Sequence, residues 1–370
     1  MRVLILANND IGLYKFRKEL LQELSYPGTY IKGRKAPPVQ VYIAVPDGDY
    51  INLLKKMGCS VIKTPIDRRG ANPIKDLKLM NMYRAIIDKI KPDCVLTYTI
   101  KPNIYGGFLC GIKRIKYSSN ITGLGTAIES NDFMSRIILV MYKIAICKSN
   151  TVFFQNDKNR LFFKEHKIVK EGYILPGSGV NLDEHKFEEY PQDENLKFLF
   201  IGRIMKDKGI DEFLGCATHI KKRYPYICFD MLGDFDEERY RSKVEKLQKD
   251  GVINYYGQQD DVHSFIKTHH ATILPTYHEG LSNVLLESAS AGRPVIATDI
   301  PGCKEAFDDG VTGIGFKPKS QESLIRAVEN FISLPYERKR QMGIAAREKI
   351  IREFDRKIVI NAYLNAMKLN

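Results

Sequence analysis

Two periodicities take turns along the chain: short apolar runs bounded by turn residues, and longer stretches in which apolar residues recur every three or four positions. The first run, Arg2–Ala7, leads through a polar loop at Asn8–Gly12 into a predicted helix near Tyr14–Leu24, where Phe16, Leu20, Leu21 and Leu24 share a face. A basic segment containing Pro and Gly, Tyr26–Pro38, precedes a strand at Val39–Val45, a helix at Tyr50–Met57 and another short strand. A helix near Ile74–Ile90 and a strand at Cys94–Tyr98 follow. The alternation restarts after Leu175 with the strand Phe198–Ile201, a helix near Asp211–Arg223, and strands at Ile227–Leu232, Ile273–Leu274 and Val295–Ala297. Such alternation predicts mainly parallel sheets with helices on both faces.

The two blocks predict an α/β chain of two Rossmann-like domains, residues 1–175 and 176–352, with a helix near Phe354–Leu369 in a terminal segment, 353–370. Open sheets bind ligands beyond the carboxyl ends of their strands, so two such domains facing each other predict a site in the cleft between them. The most apolar stretch, Ile137–Cys147, holds Lys143, follows Arg136 and falls short of the roughly 20 residues of a spanning helix. It reads as a buried helix. No secretion signal is visible, because the run from Val3 to Ala7 meets Asn8, Asn9 and Asp10 at once.

Composition narrows this picture. With 370 residues, 44 % hydrophobic and 27 % charged, the chain is neither disordered, collagenous nor a disulfide scaffold. Its seven cysteines are scattered and form no Cys-x-x-Cys pair, which predicts reduced thiols in a cytoplasm. The net charge of +13 is lopsided: residues 1–180 hold 29 Lys and Arg against 14 Asp and Glu, whereas the remainder holds 28 against 30. A basic half suits nucleic acid, an anionic membrane or a phosphorylated substrate.

Two segments of the second block carry candidate chemistry. Residues 202–209, GRIMKDKG, follow a strand and place Arg203 and Lys208 beyond its carboxyl end. A planar guanidinium and a compact ammonium can together hold a diphosphate and meet its growing charge as it leaves. The plain alternative is a solvated turn before a helix. Residues 278–287, HEGLSNVLLE, follow the strand Ile273–Leu274. There Gly280 permits close approach, Ser282 or Asn283 can cap a helix whose exposed amides suit phosphate, and Glu287 lies about a turn further in, where a carboxylate can accept from two ribose hydroxyls. Glu279 would face a sugar. Two acids favouring a helix N-terminus are the alternative reading.

Taken together, Gly-Arg-x(4)-Lys-Gly after one strand and Glu279 and Glu287 with seven residues between them resemble the signature of glycosyltransferase family 4, retaining enzymes of GT-B fold. TIKPNIYGG (99–107), NITGLGTAIE (120–129), LPGSGVNLDEHKF (175–187) and SAGRPVIATDIPGCKE (290–305) extend the likeness, particularly to enzymes that lengthen bacterial lipid-linked glycans for O-antigen, capsule or glycoprotein assembly. The resemblance implies a UDP-sugar donor whose diphosphate is held by Arg203 and Lys208 and whose ribose is held by Glu287. Glu279 would contact the transferred sugar, with Gly280, Leu281, Ser282 and Asn283 beside the distal phosphate. Gly12 would line the opposite wall of the cleft. Lys101, Asn103 and Lys15 are candidate acceptor contacts, although many relatives carry a histidine in the loop where this chain reads Thr99-Ile100-Lys101-Pro102-Asn103. With an oxocarbenium-like transition state and attack from the departing face, the anomeric configuration would be retained without a protein nucleophile or a metal. The implied acceptor is a polyprenyl-diphosphate-linked saccharide, and the implied place is the inner face of the cell membrane.

Other features point elsewhere less firmly. Asp47-Gly48-Asp49 matches a metal-binding Asp-x-Asp pattern, yet its place before a helix predicts capping. His263, His269, His270 and His278 lack zinc-site spacing. Gly177-Ser178-Gly179 lacks the third glycine of a dinucleotide fingerprint and no Walker loop occurs, so NAD and ATP are unsupported. Lys15, Arg17 and Lys18 around Phe16, and Lys113, Arg114 and Lys116 among Ile112, Ile115 and Tyr117, interleave charge with apolar groups as a bilayer surface favours. A solvated basic face would look the same. No nucleic-acid module is recognisable. A sugar-nucleotide epimerase or hydrolase of the same architecture is the alternative enzyme.

Overall fold

The computed structural model describes residues 1–25, 39–67, 72–123, 133–193 and 195–367, and the backbone of 30–31 and 34–35. Residues 124–129 of the NITGLGTAIE segment lie outside the described residues, as does most of Tyr26–Pro38. The chain divides into two compact units. Met1–Ser178 with Val359–Asn370 forms the N-terminal unit and Gly179–Ile358 the C-terminal unit.

Each unit is built on a parallel sheet. In the first, strands β1 (Arg2–Leu6), β4 (Gln40–Val45), β5 (Ser60–Lys63), β6 (Cys94–Tyr98), β7 (Lys116–Ile121), β8 (Thr151–Phe154) and β9 (Tyr173–Ile174) lie in the order β5-β4-β1-β6-β7-β8-β9. A small antiparallel pair, β2 (Tyr30–Ile31) and β3 (Arg34–Lys35), stands apart from it. In the second, β10 (Lys197–Ile201), β11 (Cys228–Leu232), β12 (Asn254–Tyr255), β13 (Ala271–Leu274), β14 (Val295–Thr298) and β15 (Gly313–Phe316) lie in the order β12-β11-β10-β13-β14-β15. The strands read as near-continuous apolar runs because helices cover both faces. Val3 to Leu6 and Phe198 to Phe200 are solvent-free. The strand order reverses between β1 and β6 and again between β10 and β13, the crevices where open α/β sheets take their ligands.

Several local expectations are corrected. The first helix spans Asp10–Ser25, so it starts four residues before Tyr14 and has Gly12 in its first turn. Asn9 explains the early start, since its side-chain oxygen receives the Gly12 N–H at 2.5 Å. Asp47 does not cap the helix Ile51–Lys56: it pairs with Lys63 at 2.7 Å, while the Tyr50 N–H is taken by buried Asp10 at 2.8 Å. Arg17 is buried, its guanidinium 5.3 Å from the Tyr98 ring and 5.5 Å from the Tyr363 ring. Tyr117 is buried too, its hydroxyl donating to the Ala145 carbonyl at 2.6 Å. The apolar helix expected to be buried runs Phe133–Ile146 and buries only Ser135, Tyr142, Ala145 and Ile146. The expected terminal helix runs Arg356–Ala366, after a separate helix Tyr336–Phe354, and Val359, Tyr363 and Leu364 on it, with Met367 just past its end, lie in the core of the N-terminal unit. Among the described residues no helix is long and apolar enough to cross a membrane.

Candidate functional site

In the C-terminal unit the two sequence-predicted segments leave the carboxyl ends of β10 and β13, which flank the reversal in strand order. After β10 the chain forms a short turn, Lys206–Lys208, and Gly209 then opens the helix Ile210–Arg223. Gly209 has φ +69° and lies against the Pro275 backbone, where a Cβ would collide with the carbonyl. This close approach joins the two segments. Tyr277 N–H and the Thr276 hydroxyl both donate to the Asp207 carbonyl, at 2.8 and 3.2 Å.

The join brings Lys208 and Glu279, 71 positions apart, into an ion pair between half-buried side chains. The structure thus places the expected phosphate-binding ammonium directly on the expected sugar-binding carboxylate. Arg203 leans outward and pairs with Asp236 at 3.1 Å, an acid in the loop after β11 that the sequence reading did not single out. Ser282 caps the helix Asn283–Ser290, its hydroxyl receiving the Leu285 N–H at 3.4 Å. Ser282 N–H donates to the Gly302 carbonyl at 2.8 Å, and Gly302, φ +90°, packs on the Glu279 backbone. Leu281 is buried beneath this loop. Glu287 sits on the same helix, half-buried, with the His185 ring at 4.0 Å. Tyr277 was also missed. Its hydroxyl donates to both oxygens of buried Glu212, at 2.8 and 2.9 Å, and burial together with that carboxylate pushes its pKa up.

The N-terminal unit has a cavity of about 220 Å3 at its own reversal, lined by Asn8, Ile66, Thr99, Lys101, Thr122 and Gly123. Thr99 has φ +72°, which is costly for a β-branched residue, and its buried hydroxyl has no hydrogen-bond partner among the described residues. Lys101 lines the cavity and pairs with Asp76 at 2.5 Å. Asn103 does not reach it: the side chain is fully buried, receiving the Thr97 hydroxyl at 2.6 Å and donating to the Asn120 carbonyl at 2.8 Å. That corrects its reading as an acceptor contact. Lys15 is exposed on the first helix. Gly12 is confined by Asn9, whose oxygen lies 2.6 Å from where a Cβ would stand. Among the described residues no three His, Cys, Asp or Glu side chains gather to hold a metal ion.

Residues 182–349 match the family described as glycosyl transferases group 1, and residues 28–156 the family described as glycosyl transferase 4-like. The chain is 24 % identical to the N,N'-diacetylbacillosaminyl-diphospho-undecaprenol alpha-1,3-N-acetylgalactosaminyltransferase of Campylobacter jejuni, across 98 % of this chain and 97 % of that protein. A Rickettsia africae glycosyltransferase superposes with a TM-score of 0.77 at 18 % identity, covering 99 % of this chain and 97 % of its own. Anabaena HepE in complex with UDP and glucose superposes at 0.78 and 15 % identity, covering 100 % and 99 %. With a group 1 domain behind a 4-like domain on a GT-B fold, this chain belongs to the glycosyltransferases.

Proposed function

We propose that this glycosyltransferase moves a hexose or N-acetylhexosamine from a UDP-sugar to a polyprenyl-diphosphate-linked saccharide, with retention of configuration, in bacterial surface-glycan synthesis. The observation that carries the reading is the Lys208–Glu279 pair at the carboxyl ends of β10 and β13, with Arg203 on the same loop as Lys208 and exposed. The lipid-linked substrate in the Campylobacter relative's name and the UDP held by HepE support the choice of acceptor and donor.

The donor diphosphate competes with Glu279 for Lys208. Once it takes the ammonium, the carboxylate turns to the sugar hydroxyls, while Arg203 meets the second phosphate. As the sugar–oxygen bond breaks, charge grows on the leaving diphosphate and both cations bind it more strongly than before, which lowers the barrier. The amides of Gly280, Leu281 and Asn283, at a helix start, face the same charge, the Ser282 N–H being engaged by the Gly302 carbonyl, and Glu287 accepts from the ribose hydroxyls. Two cations neutralise the leaving group, so the proposal includes no metal. The acceptor hydroxyl attacks from the side the diphosphate leaves. A lipid carrier as acceptor and the surplus of 15 positive charges in residues 1–180 support work at an anionic membrane surface, on its cytoplasmic side, as part of this proposal.

The test is product analysis by mass and anomeric NMR, with a panel of UDP-sugars and a polyprenyl-diphosphate-sugar acceptor. A disaccharide in the donor's anomeric configuration is expected. Inversion would refute the mechanism. Release or epimerisation of the sugar without acceptor would mark a hydrolase or epimerase instead.

A further inference from the structure

The helix Phe133–Ile146 meets the rest of its unit through buried Ser135, Tyr142, Ala145 and Ile146, with Ile138, Leu139 and Met141 partly buried beside them. Its outward side is apolar. Phe133, Ile137, Val140 and Ile144 succeed one another at intervals of four, three and four, and therefore form one stripe. Phe133 is 78 %, Val140 58 % and Ile144 53 % exposed, a contiguous apolar surface of the kind that marks an interaction site.

Charge around the stripe selects the partner. No Asp or Glu occurs from Phe133 to Asn156. Arg136 and Lys143, seven positions apart and both exposed, run along one margin. At the far end Lys148 donates to the Gly111 carbonyl at 3.3 Å, which joins this helix end to the neighbouring one, where Ile112 and Arg114 follow Gly111 and are exposed. A second copy docking here through its own stripe would oppose these cations to themselves. Anionic headgroups complement them. The same helix packs on Ile104, a few residues after the cavity-lining Thr99 and Lys101, so whatever the stripe rests on lies one helix away from that cavity.

We infer that the Phe133–Ile146 helix, with Ile112, lies in the interface of an anionic bilayer, its apolar stripe below the headgroups and Arg136, Lys143 and Arg114 among the lipid phosphates. This rests on the membrane-bound acceptor proposed above and names the surface that meets the membrane.

The test compares the full chain with V140D/I144D in flotation with vesicles of phosphatidylcholine alone and of phosphatidylcholine with phosphatidylglycerol. Both positions are exposed, so the melting temperature should not move. The wild type should float with the anionic vesicles and release at high salt, and the variant should partition about tenfold less or worse. Turnover of a water-soluble, short-chain acceptor analogue should be equal in both, whereas turnover of vesicle-embedded acceptor should fall in the variant. A wild type that ignores both vesicles overturns the membrane reading and this inference together. A variant that floats as well as the wild type overturns only the inference. A wild-type dimer that the substitutions split into monomers assigns the stripe to a second copy and overturns it as well.

Discussion

At the scale of single residues, the two cations of the candidate site differ in what they hold when no donor is bound. Arg203 is largely exposed and its pair with Asp236 is a surface contact worth little to stability. Arg203→Ala should leave the melting temperature in place and lower kcat/KM roughly a hundredfold, the effect of losing about 3 kcal/mol of transition-state stabilisation. Lys208→Ala should lose as much turnover and also melt earlier, because it strands the half-buried Glu279 carboxylate. Adding Glu279→Gln should recover the melting temperature without recovering activity; a double variant that stays destabilised would mean that the pair is not what holds the two loops. A histidine sets an acid limit. Burial depresses His270 to about 4, with its Nδ1 accepting the Lys197 N–H at 3.1 Å and its Nε2 3.2 Å from the Asp193 carbonyl. An unfolded histidine titrates near 6.5, so on acidification the unfolded chain takes the proton first. His270 therefore costs no stability above about pH 6.5 and costs up to about 3 kcal/mol as pH falls toward 4. Melting temperature against pH should fall across that window in the wild type and less steeply in His270→Gln.

At the scale of elements, what the sequence shows and what it hides separate along physical lines. The strand Cys94–Tyr98 and the helix Pro73–Ile90, with Asn72 capping its Ile74 and Lys75 amides, are written in local patterns that the structure reproduces. The loops after β10 and β13 are equally local. Their meeting is not: nothing in GRIMKDKG says that Gly209 will lie on Pro275, or that Lys208 will find an acid 71 residues away. Arg17 looked like surface charge because its neighbours are basic, but Tyr98 and Tyr363 enclose it from distant strands and helices. The Phe133–Ile146 helix is apolar on nearly every side, so its composition cannot say which side faces inward. The Gly209 contact yields a prediction. An alanine there needs a left-handed conformation costing about 1–2 kcal/mol and collides with the Pro275 carbonyl besides. Gly209→Ala should lower stability by about 2 kcal/mol or more and raise KM for the donor, since the segments carrying Lys208 and Glu279 must part. A variant with normal stability and KM would show that the two segments do not depend on this contact.

At the scale of the molecule, each unit has its own hydrophobic clusters, and the chain's last helix belongs by packing to the unit farthest from it in sequence. Val359, Tyr363, Leu364 and Met367 are buried against the sheet of the N-terminal unit. Tyr363 does more than fill space: its hydroxyl donates to the Asn120 side chain at 2.7 Å, and its ring covers Arg17. Burying each such side chain contributes about 1.5–3 kcal/mol. Four of them are comparable with the entire stability of a typical domain, about 5–15 kcal/mol. Removing residues 359–370 would also leave the Arg17 guanidinium with one aromatic face where it had two, and the Asn120 oxygen without its donor. A chain ending at Ile358 should therefore lose the N-terminal unit selectively. Hydrogen exchange should show protection collapsing in β1 and β6 while β10 and β13 keep theirs, and calorimetry should show one of two transitions displaced downward. Equal loss in both sheets would mean that they unfold as one body, whereas protection unchanged in both would mean that the last helix only rests on a fold complete without it. The selective outcome follows from where the removed atoms lie, since every buried apolar group lost belongs to one unit's core.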